Sequence, residues 1–178
     1  MILRGRCWTF GNDLCVDGDL IPFQFVRERE TRIEVLKAFA MADVDPEVAK
    51  RAKPGDLIVA GRRFAQGNPH IQGLLALRGL GVGLVVESIP RGSFRNAVNA
   101  GLPILPRCPG ITSRVYAGDE LEVDFETGRV KDLTNGFEER YPSLPTALFE
   151  RVQLGTWEQN FERRLLLARG RRLPQAIG

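Results

Sequence analysis

The sequence predicts an α/β domain: a parallel β-α-β-α-β core with antiparallel hairpins added to it. Three observations carry that expectation. Leu57-Ile58-Val59-Ala60 and Val82–Val86 are short, unbroken apolar runs, as in strands buried on both faces. Helical stretches separate these runs and lead to a third one, and right-handed crossovers of this kind imply a parallel sheet covered by helices. Further on, Leu121, Val123 and Phe125 alternate with Glu120, Glu122, Asp124 and Glu126, the period of a half-buried strand.

Taken in order, Trp8–Val26 reads as a short strand and an extended loop, with Gly11-Asn12-Asp13 and Asp17-Gly18-Asp19 as turn residues. Thr31 and Glu34 have capping-box spacing, and Ile33, Leu36, Phe39 and Ala40 form one stripe, so a helix is expected there. Asp45 as N-cap and Pro46 in the first turn start a second short helix, which stops before Lys53-Pro54-Gly55-Asp56. Gly61–Gly67 is a loop, Leu74–Leu80 a helix, Arg91–Ala100 a helix ended by Gly101, and Leu102–Leu105 the third core strand. Thr127-Gly128 and Asn135-Gly136 fold the acidic strand into hairpins. Pro145–Leu154 is a helix stopped by Gly155. Trp157, Phe161 and Leu165 then recur every four residues, giving an amphipathic helix over 156–170. Residues 171–178 are expected to fray as a tail. Neither repeat nor linker interrupts the chain, so residues 1–178 read as one domain.

Composition narrows the function. The chain has 178 residues, enough to bury about 70% of its unfolded surface without disulfides or metals. Hydrophobic residues at 43% and charged residues at 26% exclude a disordered, collagen-like or coiled-coil chain. No run approaches 18 apolar residues, so no membrane span is expected, and Met1–Arg6 lacks the apolar stretch of a secretory signal. Cys7, Cys15 and Cys108 are odd in number and lack C-x-x-C spacing, which fits reduced thiols in a cytoplasmic setting. His70 is the single histidine, so a two-histidine zinc site is excluded. A net charge of +3 is a weak field that permits nucleic acid without calling for it. Arg163-Arg164 and Arg169-Gly170-Arg171-Arg172 lack interleaved aromatics and read as a solvated helix end.

Three constellations can carry chemistry. Gly67-Asn68-Pro69-His70-Ile71-Gln72-Gly73 joins a buried strand to a helix, with Asn68 suited to the N-cap and Pro69 to the first helical position. Backbone N–H groups at such an end attract carboxylate or phosphate, and His70 can serve as ligand, acid or base. Open α/β sheets hold ligands at this edge, beyond the carboxyl ends of their strands. Arg91, Arg95 and Asn99 lie four apart on one helical face and can grip a carboxylate, or equally be solvated. Phe23-Gln24-Phe25-Val26-Arg27-Glu28 forms a binding lip if exposed and a domain seal if buried.

The order of several stretches points further. Asn12-Asp13 with Leu20-Ile21-Pro22, Pro54–Phe64, Arg95–Ile104, and Gly118–Asp124 with Thr127-Gly128 together resemble the small subunit of 3-isopropylmalate dehydratase, the swivel domain of the aconitase superfamily. The resemblance spans roughly residues 6–155. It implies a swivel-type β/β/α domain in a heteromeric hydro-lyase that removes and re-adds water on a malate-like hydroxy-dicarboxylic acid. A separate large subunit would carry a [4Fe-4S] cluster as Lewis acid, so Cys7, Cys15 and Cys108 need not be cluster ligands. The small subunit would close over the substrate and be inactive alone.

The family usually reads Ser-Ser-Arg-Glu after the phenylalanine and glycine that match Phe64 and Gly67, with the serine as base and the arginine on a substrate carboxylate. Here those positions are Asn68, Pro69, His70 and Ile71. The family's roles therefore do not carry over to them. The expected set becomes His70 as base or carboxylate ligand, Gly67 and Asn68 as backbone donors, and Arg27 and Arg91 as anion contacts. The alternative is a non-catalytic structural or regulatory paralogue that docks on an aconitase-type large subunit.

Overall fold

Strand β1 (Ile2–Phe10) is the seam of the fold in a computed structural model, which describes residues 1–168. Its two halves serve different neighbours. Cys7–Phe10 pairs in parallel with β2 (Leu57–Ala60), followed outward by parallel β3 (Gly83–Val86) and β4 (Ile104–Leu105). Ile2–Arg6 pairs antiparallel with β5 (Glu120–Asp124), followed by β6 (Arg129–Asp132) and β7 (Glu138–Arg140). The result is one seven-stranded mixed sheet, in the order β4-β3-β2-β1-β5-β6-β7. Every residue of β2 and β3 is buried, as their unbroken apolar runs require, whereas β5 alternates in burial with its acidic residues outward.

Seven α-helices complete the domain among the described residues: α1 (Phe23–Arg27), α2 (Ile33–Leu36), α3 (Pro46–Arg51), α4 (Gln72–Leu80), α5 (Arg91–Asn99), α6 (Thr146–Gln153) and α7 (Trp157–Ala168). Helices α4 and α5 make the β2–β3 and β3–β4 crossovers of the parallel wing, and the β1–β2 connection runs through α1, α2 and α3. The two wings share one core. A Cβ on Gly83 of β3 would lie 2.5 Å from Phe125 Cζ and 2.9 Å from Leu3 Cδ1, so the hairpin wing packs directly over the parallel wing.

At the turn before β2, Asp56 is buried and accepts three hydrogen bonds: from the Arg6 amide at 2.9 Å, Trp8 Nε1 at 3.0 Å and the Lys53 amide at 3.1 Å. It ties the switch point of β1 to the start of β2. Gly5 leaves room for this turn, since a Cβ there would lie 2.6 Å from Asp56 Oδ1.

Several local expectations are corrected. The first strand starts at Ile2, and Phe23–Arg27 is a short helix instead of loop. The capping box at Thr31 does not form: Arg32 is the N-cap residue of α2, and the Glu30 carboxylate accepts from the Thr31 and Arg32 amides at 2.9 and 2.8 Å. Asp45 does cap α3 as expected, accepting from the Glu47 amide at 3.0 Å behind Pro46. The third core strand is cut to two residues because Pro103 cannot donate to the ladder.

Helix α7 is where expected, and its apolar stripe faces outward. Trp157 and Phe161 are 50% and 55% exposed and Leu165 is exposed too, while Thr156 and Asn160 turn inward. A local cap marks where the helix begins. The Thr156 amide donates to Gln159 Oε1 at 2.9 Å and the Gln159 amide to Thr156 Oγ1 at 3.4 Å, a reciprocal box that fixes the first turn. The expected tail at 171–178, and the last two residues of the 156–170 helix, lie outside the described residues.

Candidate functional site

Because β1, β2 and β3 run parallel, the loops leaving Phe10, Ala60 and Val86 emerge at one edge of the sheet. There they are laced together. The Asp13 amide donates to Arg62 O at 2.8 Å, the Val16 amide to Gln66 O at 2.8 Å and the Gln66 amide to Leu14 O at 2.9 Å. Side chains extend the lacing: Asn12 Oδ1 accepts from the Arg62 amide at 2.7 Å and Gln66 Nε2 donates to Asp13 O at 2.8 Å. From the third loop, Ser88 accepts from the Phe64 amide through its carbonyl and from the Arg63 amide through its hydroxyl, both at 3.0 Å.

This network holds a contorted segment. Arg63, Ala65 and Gly67 have φ of 57°, 59° and 99°. For Arg63 and Ala65 that conformation costs about 1–2 kcal/mol per residue, which only a surrounding structure can impose. Helix α5 clamps the far side, with Ser93 Oγ donating to Ala65 O and Asn96 Nδ2 to Pro69 O, each at 2.5 Å. Gly92 lets α5 come close, because a Cβ there would lie 2.8 Å from Pro69 Cβ.

The centre of the edge is His70. Its amide donates to Asn68 O at 2.7 Å, closing a three-residue turn around Pro69. This turn overturns the expectation that Asn68 caps the helix with Pro69 at its first position. Helix α4 starts at Gln72, with Ile71 before it and no side-chain cap. His70 Nδ1 lies 2.7 Å from Asp17 Oδ2, and Nε2 lies 3.4 Å from Asn68 Nδ2. The imidazole is 34% exposed and Asp17 20%, so the pair is reachable from solvent yet partly shielded. Asp17 Oδ1 is buried and has no hydrogen-bond partner among the described residues.

Of the expected residues, the structure thus brings Gly67, Asn68 and His70 together at the edge. Arg91 opens α5 beside Gly92, which packs on Pro69, so it flanks the same loop and is exposed. Arg27 is exposed at the end of α1, whose Phe25 and Val26 are buried, so this segment both seals the domain and presents its arginine. Arg95 and Asn99 do not join Arg91. They line a separate cleft of about 370 Å³ between α5 and α6. Sequence reasoning missed Asp17, which reads as a turn residue, and Ser93 and Asn96. The i, i+3 spacing of the last two on α5 was the available signal for a shared face.

Of the three thiols, Cys15 lies in the first loop of this edge, its backbone bridged to Gln66. Cys7 and Cys108 are buried, and burial pushes the Cys7 thiol far up and that of Cys108 up to about 12. Only Cys15 is partly exposed. These positions do not fit the ligands of an iron–sulfur cluster, which are thiolates. The described residues also contain no group of three or more histidine, cysteine, aspartate or glutamate side chains arranged to hold a metal ion. Ellman's reagent is accordingly expected to titrate one thiol in the folded protein and three after unfolding in guanidinium. Rapid reaction of two or more in the native state would contradict the burial.

No helix among the described residues is long and apolar enough to cross a membrane. No family model matches the chain. Curated relatives do. The chain is 40% identical over 155 residues to the isopropylmalate/citramalate isomerase small subunit of Methanocaldococcus jannaschii, covering 86% of this chain and 90% of that one. It is 42% identical over 137 residues to the 3-isopropylmalate dehydratase small subunit of Pyrobaculum calidifontis, covering 76% and 82%. Among solved structures, a 3-isopropylmalate dehydratase from Methanocaldococcus jannaschii superposes with a TM-score of 0.83 at 26% identity, over 96% of this chain and 99% of that one.

Proposed function

Because this chain belongs to the 3-isopropylmalate dehydratase small-subunit family, we propose that it is the small subunit of a hydro-lyase acting on a malate-like hydroxy-dicarboxylic acid. The observation that carries the reading is 40% identity sustained over 86% of the chain, within a fold whose loops converge on one reactive edge. Among the described residues no set of cluster ligands assembles, so we assign the [4Fe-4S] cluster to a separate large subunit, where it would supply the Lewis acid for the departing hydroxyl. This chain's part is the other half of the site. His70 takes or returns the substrate proton, Gly67 and Asn68 present backbone donors beside it, and Arg27 and Arg91 bind substrate carboxylates. Exposed guanidiniums suit that task, since they gain their anion only when the partner surface closes over it.

Mixing the purified chain with a family large subunit carrying its rebuilt cluster tests the proposal. Dehydration of 3-isopropylmalate and of citramalate is followed by ultraviolet absorbance of the unsaturated product. Turnover is expected from the pair and from neither component alone. A pair that associates but dehydrates neither acid would favour a non-catalytic docking partner. Turnover by this chain alone would overturn the division of labour.

A further inference from the structure

We propose that Asp17 is the positioning residue of the site: its carboxylate holds His70 in the tautomer and orientation that leave Nε2 as the proton acceptor. The inference rests on the reading of His70 as the proton-transfer group and extends it to a residue outside the His70 loop. Two observations point the same way. Asp17 Oδ2 lies 2.7 Å from Nδ1, and an ionised carboxylate can only accept, so Nδ1 carries the proton. On the other side, Asn68 Nδ2 is a donor, so Nε2 facing it at 3.4 Å must offer its lone pair. Both neighbours therefore select one tautomer, the reverse of the one an unconstrained neutral imidazole favours. The Asn68 contact is long enough for a substrate proton to displace it.

The surroundings hold Asp17 in place. The Cys15 amide donates to Asp19 Oδ2 at 2.7 Å and the Gly18 amide to Ile21 O at 2.9 Å, so the Asp17 turn is braced on both sides. The Val16 amide is tied to Gln66 O, which docks the turn onto the His70 loop. When Nε2 accepts a proton, the imidazolium finds a carboxylate already within hydrogen-bond distance, and no group has to reorient. This is the arrangement by which a buried carboxylate orients a catalytic imidazole on unrelated folds.

The test uses the fact that His70 is the chain's only histidine. In the full chain labelled with ¹⁵N-histidine, a single imidazole is observed. At a pH where it is neutral, a protonated Nδ1 and a bare Nε2 are expected. Asp17→Asn is expected to lose that preference while keeping near-UV circular dichroism and thermal midpoint close to the parent. In the reconstituted enzyme the same variant should lower kcat by about 10²-fold or more with KM within about twofold, the signature of an interaction used in the transition state. Asp17→Glu should recover part of the kcat. A wild-type imidazole protonated at Nε2, or an Asp17→Asn variant with unchanged tautomer and kcat, would overturn the proposal. If wild type dehydrates no hydroxy-acid but shows the Nδ1 tautomer that Asp17→Asn abolishes, the assigned reaction fails and the Asp17 role stands.

Discussion

Replacing His70 with alanine in the reconstituted enzyme is expected to slow dehydration by about 10²–10⁴-fold, the usual contribution of one positioned acid or base. The loss should appear in kcat, because the carboxylate contacts assigned to Arg27 and Arg91 remain. It should also exceed that of Asp17→Asn, because the alanine removes the proton acceptor itself and the asparagine only misaligns it. Steady-state kinetics of both single variants and the double variant check this. If the two residues act as one unit, the double variant should be no slower than His70→Ala. Unchanged turnover in His70→Ala would take the imidazole out of the mechanism.

The largest effect on stability is expected far from that edge, at Asp56. Asp56→Asn keeps the shape but replaces one acceptor oxygen with an amide. If the remaining oxygen serves the Arg6 amide, the new NH₂ faces the buried Trp8 Nε1 and the part-buried Lys53 amide, two donors left without acceptors. Each orphaned donor costs about 1–3 kcal/mol. A net loss of about 3 kcal/mol would lower the thermal midpoint by about 6–12 °C in a domain of this size. Denaturant unfolding monitored by tryptophan fluorescence measures it directly, since Trp8 is one of the partners. A variant within about 0.5 kcal/mol of the parent would show that the turn relaxes to re-pair its donors.

How legible these features are in the sequence depends on the range of the forces behind them. Strands β2 and β3 can be read from four residues each, because burial on both faces excludes polar residues locally. Asp45 and Pro46 announce α3 because cap and helix are adjacent. The site is harder to read. Asp17 and His70 are 53 residues apart, and neither turn carries any local trace of the other. Asn68 and Pro69 have good helix-start chemistry, but the pairing of His70 with Asp17 and the bond from Asn96 to Pro69 draw the segment into a tight turn. Family resemblance names the edge without revealing the pair. The outward stripe on α7 is a further case. A period of four specifies an amphipathic helix, but not which side meets the domain, and here Thr156 and Asn160 face inward.

The division of β1 between two wings bears on how the protein is made. The seam precedes its partners along the chain: Leu57 lies 50 residues after its partner Cys7, and Asp124 lies 122 after Ile2. Until both have emerged, a nine-residue strand with two unpaired edges waits in solution, the situation that invites non-native pairing and slows folding of long-range topologies. Chaperone dependence during synthesis should therefore be set by when β5 appears, and a nascent chain stalled before residue 120 should be the most prone to aggregate.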